Sequence, residues 1–464
     1  MTTDGRFYQA QDRDQVPLFG RSLRQAVADE ADVLALDAVV EELDLWALET
    51  AYQRVGHPAY HPKALLKVLI YAYSIGLRSS RQVARACRMD DAFRFLSHGQ
   101  APDFRTLCRF RRQHAEALGR LFGQTVRLCQ QAGLVTLGHV AIDGTKLRAN
   151  RSKRTLALAR KALAEALREA EEADADIPDE EAPLETSEDE ECRSMKSPEG
   201  IVPAYNGQLA VDSAHQVIVA QQLLTDTNDE GALALMVGQV EANCSALPPV
   251  VSADGGYLTR EAVETLDATK TKIHVPLRQT GRERFQWLQE QGAYRCPQGH
   301  LLKLHAVRNG TQIYRTHSCR GCPEAAACRV TGPLKEMHIP LPDSAMGRLS
   351  ARMSSPQGQA IYAARKRIVE PVIGHLKHNL GFRRFLLRGR RRAGAEWTLM
   401  CMVHNLGKLA QAWRDRPAEA VAAVAACAGV WRRAVCLVLR LMHLSAPHRL
   451  APIAWPIPSA QPAG

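Results

Sequence analysis

The stretch His139-Val140-Ala141-Ile142-Asp143-Gly144 decides the fold, because hydrophobic spacing changes there. Before it, apolar residues recur at helical intervals. The stretch itself reads as a buried strand that ends in a turn. A second segment repeats its grammar: Val250-Val251-Ser252-Ala253-Asp254-Gly255-Gly256 again runs from an apolar strand into aspartate and glycine. Between the two, Gln208-Leu209-Ala210-Val211 and Val217–Leu224 read as a hairpin, and Gly231–Glu241 reads as a helix. After the second, Thr259–Leu266 reads as a short helix and Lys272–Leu277 as a strand. The order is strand, strand, strand, helix, strand, helix, strand, which predicts an α/β domain around one mixed sheet.

Upstream, residues 1–136 read as entirely helical. Pro62 opens the apolar helix Lys63–Ile75. Ser79 and Gln82 form a capping-box pattern for the next helix. A long helix is expected from Phe104 to Ala132, with Leu107, Phe110, Leu118, Leu121, Phe122, Val126 and Cys129 near helical spacing. Two short helices followed by an Arg-bearing one suit a helix-turn-helix, and suit an ordinary bundle that packs or dimerises equally well. Arg154–Ala173 reads as a further helix. The last 50 or so residues are rich in Ala and Pro.

Composition constrains the partner. The 464-residue chain carries 60 Lys and Arg against 49 Asp and Glu, a formal charge of +11. Twelve of the acids lie in Glu171–Glu191, so the rest of the chain stands at +23. A basic body with one acidic insert points to a polyanion, and a basic surface without such a partner is the plainer alternative. Ala420–Trp431 is too short to span a bilayer, and the polar N-terminus has no secretory pattern. A cytoplasmic protein with no membrane partner is expected.

Either aspartate alone is an ordinary turn residue. Glu370 changes that reading. It lies in Arg365-Lys366-Arg367-Ile368-Val369-Glu370-Pro371-Val372-Ile373-Gly374-His375-Leu376-Lys377, where Val369, Val372, Ile373 and Leu376 form an apolar face. Its place beside buried positions suggests that it points into the domain, with Lys377 two turns further along. Three carboxylates can hold two Mg²⁺ (or Mn²⁺) ions about 4 Å apart for phosphodiester cleavage, with hard oxygen ligands suited to the ion. Lys377 would then contact phosphate near the metals. Arg383, Arg384 and Arg388, together with Arg390, Arg391 and Arg392, would bind the DNA backbone by charge.

On these residues the chain resembles a DDE transposase of a bacterial insertion sequence. Ile142-Asp143-Gly144-Thr145-Lys146, Ala253-Asp254-Gly255-Gly256-Tyr257 and Val369-Glu370-Pro371 resemble the family's three catalytic blocks. His61-Pro62-Lys63-Ala64-Leu65-Leu66, Ser79-Ser80-Arg81 and Pro102-Asp103-Phe104-Arg105-Thr106 are similar to its helical N-terminal domain. Leu387-Arg388-Gly389 and His404-Asn405-Leu406 also fit. The resemblance implies an α/β ribonuclease H-like core, a mixed five-stranded sheet flanked by helices, with Asp143, Asp254 and Glu370 as catalytic metal ligands. Related groups carry a Tyr, Arg, Glu, Lys signature on the Glu helix. Lys377 stands where that signature expects it. Tyr362 and Arg365 each fall one residue too far from Glu370, so neither receives a role.

The expected organisation is therefore a helical DNA-binding or dimerisation domain over 1–136, a catalytic domain over 137–410 and an Ala/Pro-rich tail over 411–464. The catalytic domain is interrupted by a helical and acidic insert at 152–200 and a cysteine-rich, zinc-ribbon-like insert at 290–340. In the latter, Cys296, Cys319, Cys322 and Cys328 form a pattern suited to structural Zn²⁺, with His300 or His317 as substitute ligands and an inserted loop of reduced thiols as the alternative. The expected activity is cleavage of element ends and strand transfer into target DNA by at least a homodimer. A plain metal-dependent nuclease and an inactive or repressor-like DNA-binding derivative are the competing readings.

Overall fold

The computed structural model describes residues 12–16, 20–52, 59–151, 191–197, 200–277, 284–328 and 334–415, and the backbone of 2–3 and 6–9. The expected helix Arg154–Ala173, the acidic run to Glu190 and the tail from residue 416 lie outside the described residues.

The N-terminal region is not wholly helical. Strands β1 (Thr2–Thr3), β2 (Arg6–Gln9) and β3 (Ala59–Tyr60) form a small sheet. Around it are α1 (Leu23–Ala26), α2 (Ala31–Glu41), α3 (Trp46–Glu49) and α4 (Pro62–Ser74). Pro62 occupies the first turn of α4, where its missing N–H costs nothing, and the His61 ring accepts from the Lys63 amide. Helix α5 (Ser80–Met89) has Ser79 at its N-cap as expected, but the Ser79 side chain makes no capping hydrogen bond, so the capping box is absent. Asp90 caps α6 (Asp91–Leu96) and Asp103 caps α7 (Phe104–Gln113). The single helix expected over Phe104–Ala132 is two. His114, at φ −103° and ψ 27°, separates α7 from α8 (Ala115–Gln131). Hydrophobic spacing continues across the break because both helices face the same core, and so the break has no signature in the spacing.

The central sheet begins with β4 (Val140–Arg148), which pairs antiparallel with β6 (Gly200–Asp212). Along its other edge β6 pairs antiparallel with both β5 (Arg193–Ser197) and β7 (Ile218–Leu224). Strand β5 and the first half of β6 were not foreseen. Next to them the sequence is so acidic that strand periodicity is hard to see. Helix α9 (Ala232–Cys244) leads to β8 (Val250–Ser252), and α10 (Arg260–Asp267) leads to β9 (Lys272–His274). Strand β8 lies parallel to β4, and β9 parallel to β8. The expected order of strands and helices is therefore present, but the sheet has six described strands where five were expected: β5-β6-β4-β8-β9, with β7 also paired to β6.

A second, antiparallel sheet follows: β10 (Gln286–Leu288), β11 (Ala293–Arg295), β12 (Leu301–Arg308), β13 (Thr311–Thr316) and β14 (Lys335–Pro340). It has its own small core of Phe285, Tyr294, Leu302, Tyr314, Met337 and Ile339. Helices α11 (Ala345–Ser354), α12 (Pro356–Gly374) and α13 (Arg390–Asp415) complete the chain. A π-helical turn over His375–Asn379 extends α12.

Helix α13 binds the halves together. It packs on β7 and on α2, α4 and α8 within one continuous hydrophobic core. Its fully buried Trp397 lies against Gly207 of β6, where a Cβ would come within 3.0 Å of the indole. Glycine is needed there for helix and sheet to approach. Among the described residues no helix is long and apolar enough to cross a membrane.

Candidate active site

The parallel pairing of β4 with β8 brings the two aspartates together. Asp143 lies midway along β4, and Asp254 lies two residues beyond β8. The Asp143 carboxylate accepts from the Gly144 amide at 2.9 Å and lies 3.0 Å from the Arg365 guanidinium of α12. Burial raises its pKa above the usual aspartate range. Arg365 opposes that shift, and the negative charge of Asp254 adds to it. Asp254 caps a short 3₁₀ turn, Gly255–Tyr257, by accepting from the Gly256 amide at 2.8 Å.

Arg365 and Tyr362 were given no role by the sequence, yet Arg365 is the side chain that α12 delivers to Asp143. It is buried and lies 5.9 Å from the Tyr362 ring centroid. Their three-residue spacing places both on one helical face. That regularity is the available signal, and it conflicts with the spacing to Glu370.

Glu370 does not point into the domain. Its side chain is exposed, whereas Ile368, Val369 and Val372 face inward. Five residues separate it from Arg365, which turns it about 140° around the axis at 3.6 residues per turn. Among the described residues Glu370 makes no hydrogen bond or ion pair with Asp143 or Asp254. Lys377 does return to the site. A π-turn contains one more residue per turn than an α-turn and so changes the helical phase. The Lys377 ammonium donates to the Lys146 carbonyl of β4 at 3.3 Å, and burial lowers its pKa.

The basic segment after α12 is anchored beside the site. Arg383, Arg384 and Arg388 are exposed. The Arg148 amide donates to the Arg383 carbonyl, and the Phe385 amide donates to the Arg148 carbonyl. The Arg78 guanidinium donates to the carbonyls of Arg384 and Gly381. Glu396, buried in α13, accepts from the amides of Leu386 and Leu387 at 2.8 and 3.1 Å. Glu396 also meets Tyr73, whose hydroxyl accepts from Arg111. This buried network ties the N-terminal helices to the basic segment, and sequence reasoning missed it because its members lie more than 300 residues apart.

Away from this site, Cys296, Cys319, Cys322 and Cys328 line one cavity at the edge of the small sheet, together with His300. All four are reduced. Burial and the adjacent Cys322, Cys296 and Cys328 push the Cys319 thiol up. Among the described residues no three Asp, Glu, His or Cys side chains have already converged in a geometry that holds an ion, either here or around the aspartates. The donor types still suit two different ions: carboxylate oxygens for Mg²⁺ and thiols for Zn²⁺.

Two family models match the chain. The first, "Transposase domain (DUF772)", covers residues 21–113, the N-terminal helices. The second, "Transposase DDE domain", covers residues 295–410, from the small sheet through most of α13, and includes Glu370 and Lys377. Both matches support a DDE transposase of the insertion-sequence type. That family's catalytic domain has a ribonuclease H-like fold, works on DNA and generally uses divalent metal ions. No curated protein matches the chain.

Proposed function

We propose that this chain cuts DNA at the ends of an insertion sequence and joins the freed 3′ ends to target DNA. The observation carrying this reading is the juxtaposition of Asp143 and Asp254 at neighbouring parallel strands, with Arg365 and Lys377 arriving from α12 and its π-turn. Asp143 and Asp254 would hold Mg²⁺ or Mn²⁺, with Glu370 as the third carboxylate that the family resemblance implies. When bound, the ions supply activation of the attacking hydroxyl and stabilisation of the leaving oxygen. Arg365 holds Asp143 in place and offsets the cost of burying its charge. Lys377 would contact DNA phosphate near the ions. Arg383, Arg384 and Arg388 would bind the DNA backbone in a salt-dependent way.

Three further roles belong to this reading. The N-terminal helices would bind element ends or pair protomers. At least a dimer would synapse two ends. The four cysteines would hold a structural Zn²⁺ that fixes the small sheet and takes no part in the chemistry.

One observation favours a second reading, an inactive or repressor-like derivative: the Glu370 side chain is exposed and, among the described residues, no three such ligands form an ion site. The two readings separate in a strand-transfer assay on a fragment carrying the flanking element's end. Wild type is expected to give Mg²⁺-dependent nicks and joined products, and Asp254→Ala neither. Nicks without joining would reduce the chain to a nuclease. End binding without nicks would favour the derivative.

A further inference from the structure

We propose that Asp229 is a third aspartate of the cation site, which no motif in the sequence marks. This rests on the metal-dependent reading above and specifies its ligands further.

Asp229 lies just before α9, yet its carboxylate is carried to the junction of β4 and β8. A methyl group on Gly144, the residue after Asp143, would lie 2.7 Å from Asp229 Oδ1. A methyl group on Gly256 would lie 3.0 Å from Asp254 Oδ1 and 3.7 Å from Asp229 Oδ2. The two glycines therefore leave room on either side of Asp229, and beside Gly256 that room is shared with Asp254.

The two oxygens of Asp229 are differently employed. Oδ1 accepts from Asn206 Nδ2 at 2.7 Å and from Gln208 Nε2 at 2.6 Å. Both amides are completely buried on β6, and Gln208 is fixed in turn by the hydroxyl of buried Tyr257. Oδ2 receives no hydrogen bond among the described residues and is the oxygen on the Asp254 side. A carboxylate oriented by hydrogen bonds through one oxygen and left open at the other is built as a metal ligand is built.

Two independent observations point to a cation site. Asn206 is wholly buried, yet its amide oxygen has no hydrogen-bond partner, and it lies 2.9 Å from the same position on Gly144. The Lys146 ammonium is also buried without a hydrogen-bond acceptor, 3.9 Å from Asp229 and within electrostatic reach of Asp254 and Asp143. One ammonium, ion-paired with Asp229, stands among three carboxylates. Hard oxygen donors of this kind suit Mg²⁺ or Mn²⁺. A bound divalent ion would take Oδ2 of Asp229 together with Asp143 and Asp254.

The test is Mn²⁺ binding by the full chain in the presence of end DNA, followed by electron paramagnetic resonance of the free ion. Wild type, Asp143→Asn and Asp229→Asn are compared. Asparagine keeps an oxygen for Asn206 and Gln208, and circular dichroism checks the fold. The expected result is at least a tenfold weaker affinity for Asp229→Asn, with end-DNA binding in EDTA unchanged. Wild-type affinity in Asp229→Asn, alongside loss in Asp143→Asn, overturns the role of Asp229 and leaves the metal reading intact. If wild type itself takes up no Mn²⁺, the metal reading fails and this inference fails with it. Should Asp229→Asn misfold, Asp229→Cys decides: cleavage restored by Mn²⁺ or Cd²⁺ but not by Mg²⁺ supports ligation through position 229, and equal cleavage in all three ions overturns it.

Discussion

The aspartate site and the cysteine-lined cavity place metal-binding residue types on very different supports. Asp143 lies on the central sheet, and Asp254 and Asp229 lie in loops beside it, over the main core. Their hydrogen bonds run to buried Asn206 and Gln208 and to backbone amides. The four cysteines rest on short strands and turns over a separate core of few residues. In the first region the fold holds the carboxylates in place, and an ion would be recruited for chemistry. In the second an ion would contribute to folding, because so small a core buries little apolar surface. The comparison predicts that stripping metal from each region has opposite consequences: lost activity with an intact fold in one, a loosened sheet in the other.

The largest expected effect lies at the aspartates. Asp143→Asn or Asp254→Asn should lower end cleavage at least about a thousandfold, the several kcal/mol a metal ion contributes at tenfold per 1.36 kcal/mol. Thermal stability of Asp254→Asn should not fall, because asparagine can still accept from the Gly256 amide. A large drop in melting temperature would show that these residues are structural and would erase the contrast. Next, Cys319→Ser should abolish one equivalent of zinc by metal analysis and open residues 284–340 to protease, while the melting of the central domain stays put. An unchanged protease pattern would mean that the small sheet needs no ion.

A third effect, about tenfold to a hundredfold, concerns Arg365. Burial raises the Asp143 pKa and Arg365 pulls it back. Arg365→Gln should therefore raise that pKa further, so the pH at which cleavage sets in should move upward. A loss of rate with an unmoved profile would assign Arg365 to DNA contact instead.

The sequence made the scaffold legible and the site only half so. Strand-turn segments at Asp143 and Asp254 stood out because an apolar run, Val140-Ala141-Ile142 in β4 and Val250-Val251 in β8, precedes each aspartate and each aspartate adjoins glycine. The order of elements followed from that. Glu370 was assigned inward from its apolar neighbours, but one helical residue of phase decides between facing in and facing out. The competing Tyr362 and Arg365 spacing carried the phase that the structure adopts. The π-turn that brings back Lys377 leaves no sequence signal. Asp229 was invisible for a different reason: it belongs to a loop, and only the fold places a loop beside a strand.

A further pH effect belongs to the whole fold. His404 is buried, and its pKa is depressed from 6.5 to about 4, burial being the main cause. The unfolded chain binds a proton below pH 6.5 that the folded chain refuses until about pH 4. Its stability contribution is complete above pH 6.5 and is lost as pH falls through that window, about 3 kcal/mol for a shift of this size. Denaturant midpoints should thus fall between pH 6.5 and 4, and the fall should be shallower in His404→Gln. The smallest effect is at the surface. Arg391 and Glu116 pair 3.0 Å apart with both side chains largely exposed. Arg391→Ala should change stability by less than about 1 kcal/mol yet lower the salt dependence of DNA binding by about one ion. An unchanged salt slope would remove this arginine from the DNA face.

The central claim is that carboxylates held by the central sheet cut DNA through a divalent ion. The most direct measurement is cleavage of an end-bearing DNA fragment by wild type and Asp254→Cys, each in Mg²⁺ and in Mn²⁺. Cleavage by wild type in both ions, and by Asp254→Cys in Mn²⁺ alone, is the predicted result, since a thiolate ligand disfavours the harder Mg²⁺. Equal cleavage by both proteins in Mg²⁺ would contradict it.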